Sequence, residues 1–481
     1  MKKDIKLIYE KNIRLTPEAY EFLEKNEIDE LVISKIISSG SLFVAKEMIE
    51  SFMAEDEKIP VQATVSRSPD FKPIAKEYEA DFHVIGSSDV TGKSKCTGKL
   101  EDFVAHFRNR FERISKVLRG RITPNPIVTA DRLKATQGSK VRLIAMVSGK
   151  RMTKKGNYLL GVEDETGAAK VVIPKDTDGF KSIARLLVDD IVAFDGKNAD
   201  ALFISDTITW PEMPIAKEQK KTEKDLAIAY ISDLHFGSKK FLEKEFSRFS
   251  SWLNGSEGRQ ELAGKVKYLL VCGDIVDGIG IYPGQEQELA VKDIYKQYEL
   301  FDKALEEIPD YITVVVVPGN HDAVRKAEPQ PCIANDLMKS EVVRLGNPSN
   351  IEIEGLKHLL YHGASLDSII AGMSGLSYSK PEDAMMELMK RRHLSPIYGD
   401  NVIVPEENDY LVIDKEPDIV HMGHVHKNGY MLYRGTLLVN SGTFQDRTDY
   451  QVRVGHLPTP GIVPVLEAKK AKLHHISFMG A

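Results

Sequence analysis

Apolar residues follow several successive patterns along this chain, and each pattern predicts a different kind of element. From residue 1 to 53 they recur at helical spacing: Tyr20, Leu23, Ile28, Leu31, Val32 and Ile36 share one face, and Thr16 followed by Pro17 and Glu18 is a helix-start signal. A second amphipathic stretch, LFVAKEMIESFM, follows Gly40, so a small helical module is expected, with its apolar face serving chiefly as its own core. Residues 54–98 turn polar and Pro-rich, with IPVQATVSRSPDFKP and GSSDVTGKSKCTGK; a segment with so little to bury reads as a flexible tether. In LEDFVAHFRNRFERISKVLRGR the spacing predicts a helix with Phe103, Phe107, Phe111, Ile114 and Leu118 in one stripe. Arg108, Arg110, Arg113, Lys116, Arg119 and Arg121 surround that stripe, as suits either a solvated helix packed on the next domain or a nucleic-acid contact.

From 126 to 213 the runs shorten to strand length and are broken by GK, KKGN and ETG turns. Five such strands with a D-x-x-G turn predict an OB-fold β-barrel, which with the basic helix makes a domain spanning 99–213. The KRMTKKGN loop is basic enough to touch a phosphate backbone, although Lys-rich turns are equally common on barrels that bind nothing. Over 225–481 five apolar runs appear: LAIAYI, VKYLLVC, ITVVVV, LKHLLY and PDIVHM. Rich in β-branched residues and ended by Gly, Asp or Asn, they read as buried strands of an α/β fold. Reactive groups of such folds gather at the carboxyl ends of the strands, so the five ends should face one crevice.

Those ends carry one kind of chemistry. Asp233 and His235 follow the first run, Asp274 the second, Asn320 and His321 the third, His362 closes the fourth, and His424 and His426 follow the fifth. Carboxylate, imidazole and amide oxygen are donors that Mn, Fe or Zn accept, and an Asp oxygen pair can bridge two ions. Two neighbouring ions can hold a phosphodiester, generate hydroxide from water and stabilise a leaving oxygen. Each fragment alone is an ordinary strand-end turn; five in series describe a two-metal phosphoesterase site. His358, His393, His421, His456, His474 and His475 lie outside the series and are expected to be structural.

Composition narrows the setting. The 481 residues have room for two or three domains, and the net charge of -6 means that a nucleic-acid partner must be gripped by local basic patches or through another subunit. Three cysteines without paired spacing argue against a disulfide framework. The N-terminus lacks an apolar signal core and no stretch is apolar enough to span a bilayer, so a soluble cytoplasmic protein is expected.

The series D-x-H, G-D-x-x-D, G-N-H-D, a lone His and G-H-x-H resembles the calcineurin-like metallophosphoesterase superfamily. That resemblance implies one ion on Asp233, His235, Asp274 and His426, and a second on Asp274, Asn320, His362 and His424. It makes His321 the acid or charge stabiliser at the scissile phosphate, pairs Asp322 with it, and has Asp277 and Asp322 orient ligands. The Ser/Thr phosphatases of the superfamily place Arg after the second Asp of G-D-x-x-D; Gly278 stands there, so the phosphate clamp of that branch is missing.

An OB-like barrel followed by a calcineurin-like domain is also similar to the small, or B, subunits of replicative DNA polymerases. GLSYSKPEDAMMELMKRRHLSPIYGD and LPTPGIVPV resemble those of archaeal family D polymerases, with the match running over residues 120–467. Eukaryotic B subunits have lost the ligands that are all present here. The resemblance implies a metal-dependent 3′→5′ exonuclease with two divalent ions, Mn ahead of Fe, Zn or Mg, proofreading for a large catalytic subunit. Its implied partners are that subunit, primer-template DNA and a sliding clamp, and its implied place is the nucleoid. Lys390, Arg391 and Arg392 either guide the DNA 3′ end or serve a partner-contact or structural role, the second being favoured. The alternatives are a non-catalytic scaffold, disfavoured because such a cluster is costly to bury without metal, and a stand-alone metallophosphoesterase acting on small phosphodiesters.

Overall fold

The five apolar runs are strands, shared between two six-stranded sheets. The structure, a computed structural model, describes residues 3–50 apart from 12, 27, 29, 40 and 42, and residues 65–480 apart from 200, 201, 216 and 217. The chain divides into two compact units, residues 1–63 and 64–481.

In the first sheet the order is Val343–Arg344, Thr313–Val317, Val266–Cys272, Ala227–Ile231, Ile462–Glu467 and Lys472–Ser477, the first four parallel. In the second it is Asn428–Tyr433, Thr436–Ser441, Ile419–Met422, Leu356–Leu360, Ser349–Ile353 and Phe82–Val84, with a parallel centre. Ile228, Tyr230, Leu270 and Val315 of one sheet meet Ile351, Leu360, Ile419 and Val439 of the other. The alternate residues Ala227, Ala229 and Ile231 point outward instead, into a core with helices Glu243–Leu253 and Ile294–Leu305. Helices Leu366–Gly372 and Pro381–Arg391 cover the second sheet in the same way. Strands buried on both faces must be apolar throughout, which is why these runs do not alternate.

The expected barrel is present. Lys140–Met152, Tyr158–Asp164, Gly167–Ile173, Leu202–Thr209 and Ile191–Ala199 pair in that order, and Lys140–Met152 closes the ring by pairing Ile191–Ala199. Its long first strand serves both neighbours through a register shift between Val147 and Gly149. The buried Arg142–Asp195 pair, at 2.6 Å, ties the closing strands together.

Two expectations meet a different outcome here. The tether reading fails for residues 65–98: Phe82–Val84 adds an edge strand beside Ser349–Ile353, the Ala75 amide donates to the Gly264 carbonyl, and Cys332 N–H donates to Thr91 Oγ1. This stretch has no core of its own, yet its backbone groups find partners far along the chain. Residues 54–64 lie outside the described residues. Helix Leu100–Arg119 is a wedge: Phe111, Ile114 and Leu118 pack with Ile144 and Ile191 of the barrel and Val412 of the phosphoesterase domain. Arg110 and Arg113 are consumed by Asp409 and Asp414, each at 2.6 Å, which leaves Arg108, Lys116 and Arg119 on the exposed face.

The Lys390–Arg392 segment is held by intramolecular contacts, in line with the structural role favoured for it. Arg391, buried, pairs with Asp190 at 2.8 Å, Arg392 donates to the Pro211 carbonyl, and Lys390 lies 4.3 Å from the Trp210 ring centroid. All three partners belong to the barrel region, so this segment fastens it to the phosphoesterase domain.

In the first unit Thr16 Oγ1 caps helix Pro17–Lys25 by accepting from Ala19 N–H, as the helix-start signal requires. Leu23, Val32 and Ile36 are buried with Ile5, Ile8 and Val44, while Tyr20 and Ile28 are partly buried against them. The Leu31 side chain and residues 51–53 lie outside what is described. Among the described residues no helix is long and apolar enough to cross a membrane.

Candidate metal centre

Parallel strands deliver their carboxyl ends to one edge, and the two sheets bring theirs together. Ala227–Ile231 leads into Asp233 and His235, Val266–Cys272 into Asp274, and Thr313–Val317 into Asn320 and His321; from the other sheet come His362, His424 and His426. The loops are tight: Asp233, His235, Asp274, His424 and His426 all have positive φ, five of the eleven non-glycine residues in that region among the described residues. Such conformations cost of order 1–3 kcal/mol each and persist where the surroundings over-determine them, as at functional sites.

The side chains converge. His426 Nε2 lies 3.4 Å from Asp233 Oδ1 and 3.1 Å from His235 Nε2. His362 Nε2 lies 3.3 Å from Asp274 Oδ1, and Asn320 Oδ1 sits 3.0 Å from both His362 Nε2 and His424 Nδ1. Asp233–His235–His426, His235–Asp274–His321 and Asp233–Asp274–His362 each bring their donor atoms within 4.8 Å of one another. Asp233, His235 and Asp274 each belong to two of these groups, so the clusters share one space.

Three of the far ring nitrogens donate, as ligand imidazoles require. His235 Nδ1–H donates to Asp277 Oδ1 at 2.9 Å, His362 Nδ1–H to the Cys272 carbonyl at 2.9 Å, and His424 Nε2–H to Asp367 Oδ2 at 3.0 Å. At His426 the bond runs the other way, with Nδ1 accepting from the Gln451 Nε2 amide at 3.0 Å. In each case the other nitrogen is left facing the common space.

His321 differs. Its Nδ1–H donates to the Asp277 carbonyl at 2.8 Å, while Nε2 stands 4.0 Å from Asp274 Oδ2 and the ring is partly open to solvent. Burial lowers its pKa against the pull of Asp274. Asp322, expected beside it in the chemistry, is buried: it accepts from Gly319 N–H, Ile275 N–H and Tyr298 O–H and so fixes the loops that carry Asn320 and Asp274. Asp322 is therefore a positioning residue. At Gly319 a Cβ would come within 2.2 Å of Asp274 Oδ1, so the loop could not approach the carboxylate with any larger residue. At Gly278, with φ +72°, a Cβ would meet the His321 carbonyl oxygen at 2.2 Å, so this backbone excludes the arginine of the phosphatase branch.

The donor set fits divalent cations. Asp233 and Asp274 are buried, and among the described residues neither has a Lys or Arg partner; the groups around them are imidazoles and the Asn320 amide. Burying carboxylates without a cation is costly, and carboxylate, imidazole and amide oxygen suit Mn, Fe or Zn.

Asp367 and Gln451 carry no sequence signal for this role, because each acts from a short helix, Leu366–Gly372 or Asp449–Arg453, with no motif of its own. The histidines outside the series do find structural partners. His358 meets Tyr230 O–H, His393 meets Asp409, His421 meets Ser441, His456 meets the Val425 carbonyl, His474 meets Glu467, and His475 packs on Tyr430.

Residues 226–428 match the family described as calcineurin-like phosphoesterase. Over 464 residues the chain is 41% identical to the DNA polymerase II small subunit of Archaeoglobus fulgidus, covering 94% of this chain and 93% of that one. It is 40% identical to the protein of the same name from Methanocaldococcus jannaschii, over 85% of this chain and 70% of that one. With the Methanothermobacter thermautotrophicus protein it shares 38% identity over 93% of each chain.

Proposed function

The chain belongs to the family of DNA polymerase II small subunits, and from that premise we propose that its phosphoesterase domain is a 3′→5′ exonuclease that removes misincorporated nucleotides for the large catalytic subunit. One observation carries this reading: every donor of the calcineurin-like series is present, and all converge at the edge shared by the two sheets. A scaffold would need none of them.

In this reading Asp233, His235, Asp274 and His426 hold one divalent ion, and Asp274, Asn320, His362 and His424 hold the second, with manganese the expected metal. When bound, such ions supply Lewis-acid polarisation of the phosphodiester and lower the pKa of water. The chain's own residues do the rest. Asp277 uses its carboxylate to orient His235 and its carbonyl to orient His321, so one residue sets a ligand and the acid together. His321 presents Nε2 to the scissile phosphate and stabilises the charge or protonates the leaving 3′ oxygen of the shortened strand. Asp367 keeps His424 turned toward Asn320. Because the chain carries a net charge of -6 and two arginines of the basic helix are spent on internal ion pairs, the large subunit is expected to supply most of the grip on primer-template DNA.

The test is to incubate the purified chain, alone and with its large subunit, with Mn²⁺ and a 3′-mismatched primer-template beside a small chromogenic phosphodiester. Release of 3′-terminal nucleotides, faster from the mismatched end, is expected. Cleavage of the small phosphodiester alone would indicate a stand-alone phosphodiesterase, and assembly with no hydrolysis of either substrate a scaffold.

A further inference from the structure

Beside His424 the metal crevice has a rim of rings and cations that the hydrolytic reading leaves unused. Tyr378, 40% exposed, lies beside Asp367, the partner of His424. Its ring stands 5.7 Å from His456, edge to face, and His456 Nε2–H donates to the carbonyl of Val425, between the two ligand histidines. Lys427 and Arg447 lie close enough to His456 for their charges to act on it. The 446–457 loop is fixed against the centre by Gln451, which reaches His426 at 3.0 Å, and by Lys427 Nζ, which donates to the Leu457 carbonyl at 3.0 Å. From the short helix Asp449–Arg453 within this anchored segment Tyr450 projects, 60% exposed and within electrostatic reach of Tyr378.

Arg447 is the odd member. Its Nε is buried without a hydrogen-bond partner, and among the described residues its guanidinium makes no ion pair. Gly278 leaves no room for the arginine that clamps phosphate in the phosphatase branch, and Arg447, beside His456 on this rim, is a guanidinium free to take an anion. The mixture of groups identifies the occupant. Protein-docking cores are depleted in charge, whereas sites for single-stranded nucleic acid combine exposed rings with cations that track the backbone.

We propose that Tyr378, Tyr450 and Arg447 form the cradle for the unpaired 3′ end of a DNA strand, the rings stacking its terminal bases and the guanidinium binding the phosphate on the 5′ side of the scissile bond. This rests on the exonuclease reading and adds the source of its selectivity: a frayed, mismatched end offers free base faces, and a paired end does not.

The cradle is tested by fluorescence anisotropy of a labelled single-stranded oligothymidylate with the full chain at low salt, in chelator so that nothing is cut. Tyr450→Ala and Tyr378→Ala should each weaken binding about tenfold, while Tyr450→Phe, which keeps the ring, stays within about twofold. Arg447→Ala should reduce the slope of log affinity against log salt by about 0.7, and Arg447→Lys should restore it. Wild-type binding that is undetectable, or unchanged in the alanine variants, overturns the cradle. The expected pattern in a chain whose Mn²⁺-loaded complex releases no nucleotide would retain the cradle and sink the exonuclease reading instead.

Discussion

At Asp409 a buried carboxylate meets Arg110 at 2.6 Å, His393 at 2.9 Å and His106 at 3.3 Å; at Asp274 another meets His362 at 3.3 Å, His235 at 3.9 Å and His321 at 4.0 Å. Both clusters are rich in histidine and shut away from bulk water. The first is closed: a guanidinium neutralises the carboxylate, and Asp409 also accepts from the Leu411 amide. The second is open, with imidazole nitrogens facing one another, His235 Nε2 and His426 Nε2 at 3.1 Å, and no Lys or Arg partner for its carboxylates among the described residues. The backbone differs as well, since Asp274 and four neighbouring donors adopt positive φ and Asp409 does not. A buried ionic network neutralised by its own guanidinium holds domains together, whereas one built of carboxylate, imidazole and amide donors alone is arranged to receive a cation.

The comparison breaks most sharply by removing each carboxylate's charge. Asp274→Asn should lose bound metal and hydrolysis together, beyond the roughly 10- to 100-fold loss typical of changes outside the ligand set. Asp409→Asn should leave metal content intact yet destabilise the fold by about 3–5 kcal/mol, because Arg110 would remain buried and unpaired. Elemental analysis and denaturant unfolding of both variants separate the two; a metal-loaded, active Asp274→Asn protein would sink the assignment.

Next in size is His321→Ala, which should retain both ions and lose about 10² to 10⁴ in rate, as removal of an acid or charge-stabilising group does. Near wild-type turnover at unchanged metal content would remove His321 from the chemistry. Asp277→Asn loosens the hold on His235 without removing a ligand, so metal affinity or activity should fall by about 10- to 100-fold. A metal titration showing wild-type affinity, with wild-type turnover, would mean that His235 needs no such support.

The open cluster was legible in the sequence and the closed one was not. Asp233, Asp274 and His362 sit at strand ends, where short-range pattern and fold topology coincide, so a one-dimensional reading could gather them. Arg110 and Asp409 are 299 positions apart with no motif at either end, and Arg110 was counted on a basic helix face although its side chain is buried. The same limit hid residues 65–98, whose composition suggests solvent but whose backbone joins a distant sheet edge. It also left the partners of Lys390, Arg391 and Arg392 open, because those partners lie in the barrel. Asp367 and Gln451, one bond behind the ligands, share this limit.

The smallest effect sharpens the contrast through protons. Burial pushes the His393 pKa down to about 4, so that ring stays neutral beside Asp409. Burial also opposes a charge on His362, but the nearby Asp274 and Asp233 carboxylates outweigh it and raise its pKa to about 10. With Nδ1–H already given to the Cys272 carbonyl, the added proton resides on Nε2, between Asp274 Oδ1 and Asn320 Oδ1. A divalent ion must displace it, because imidazole ligates only when neutral. Metal binding near neutral pH should therefore release at least one proton, read by calorimetry in buffers of different ionisation enthalpy. The sign follows: affinity should fall about tenfold for each pH unit of acidification below the His362 pKa, and competition by that proton should cease above it. Asp409→Asn should leave this dependence unchanged, since its cluster holds no proton that the metal must displace. Affinity that stays flat from about pH 6 to pH 8 in the wild-type chain would show that the open cluster is not protonated in the way its carboxylates demand.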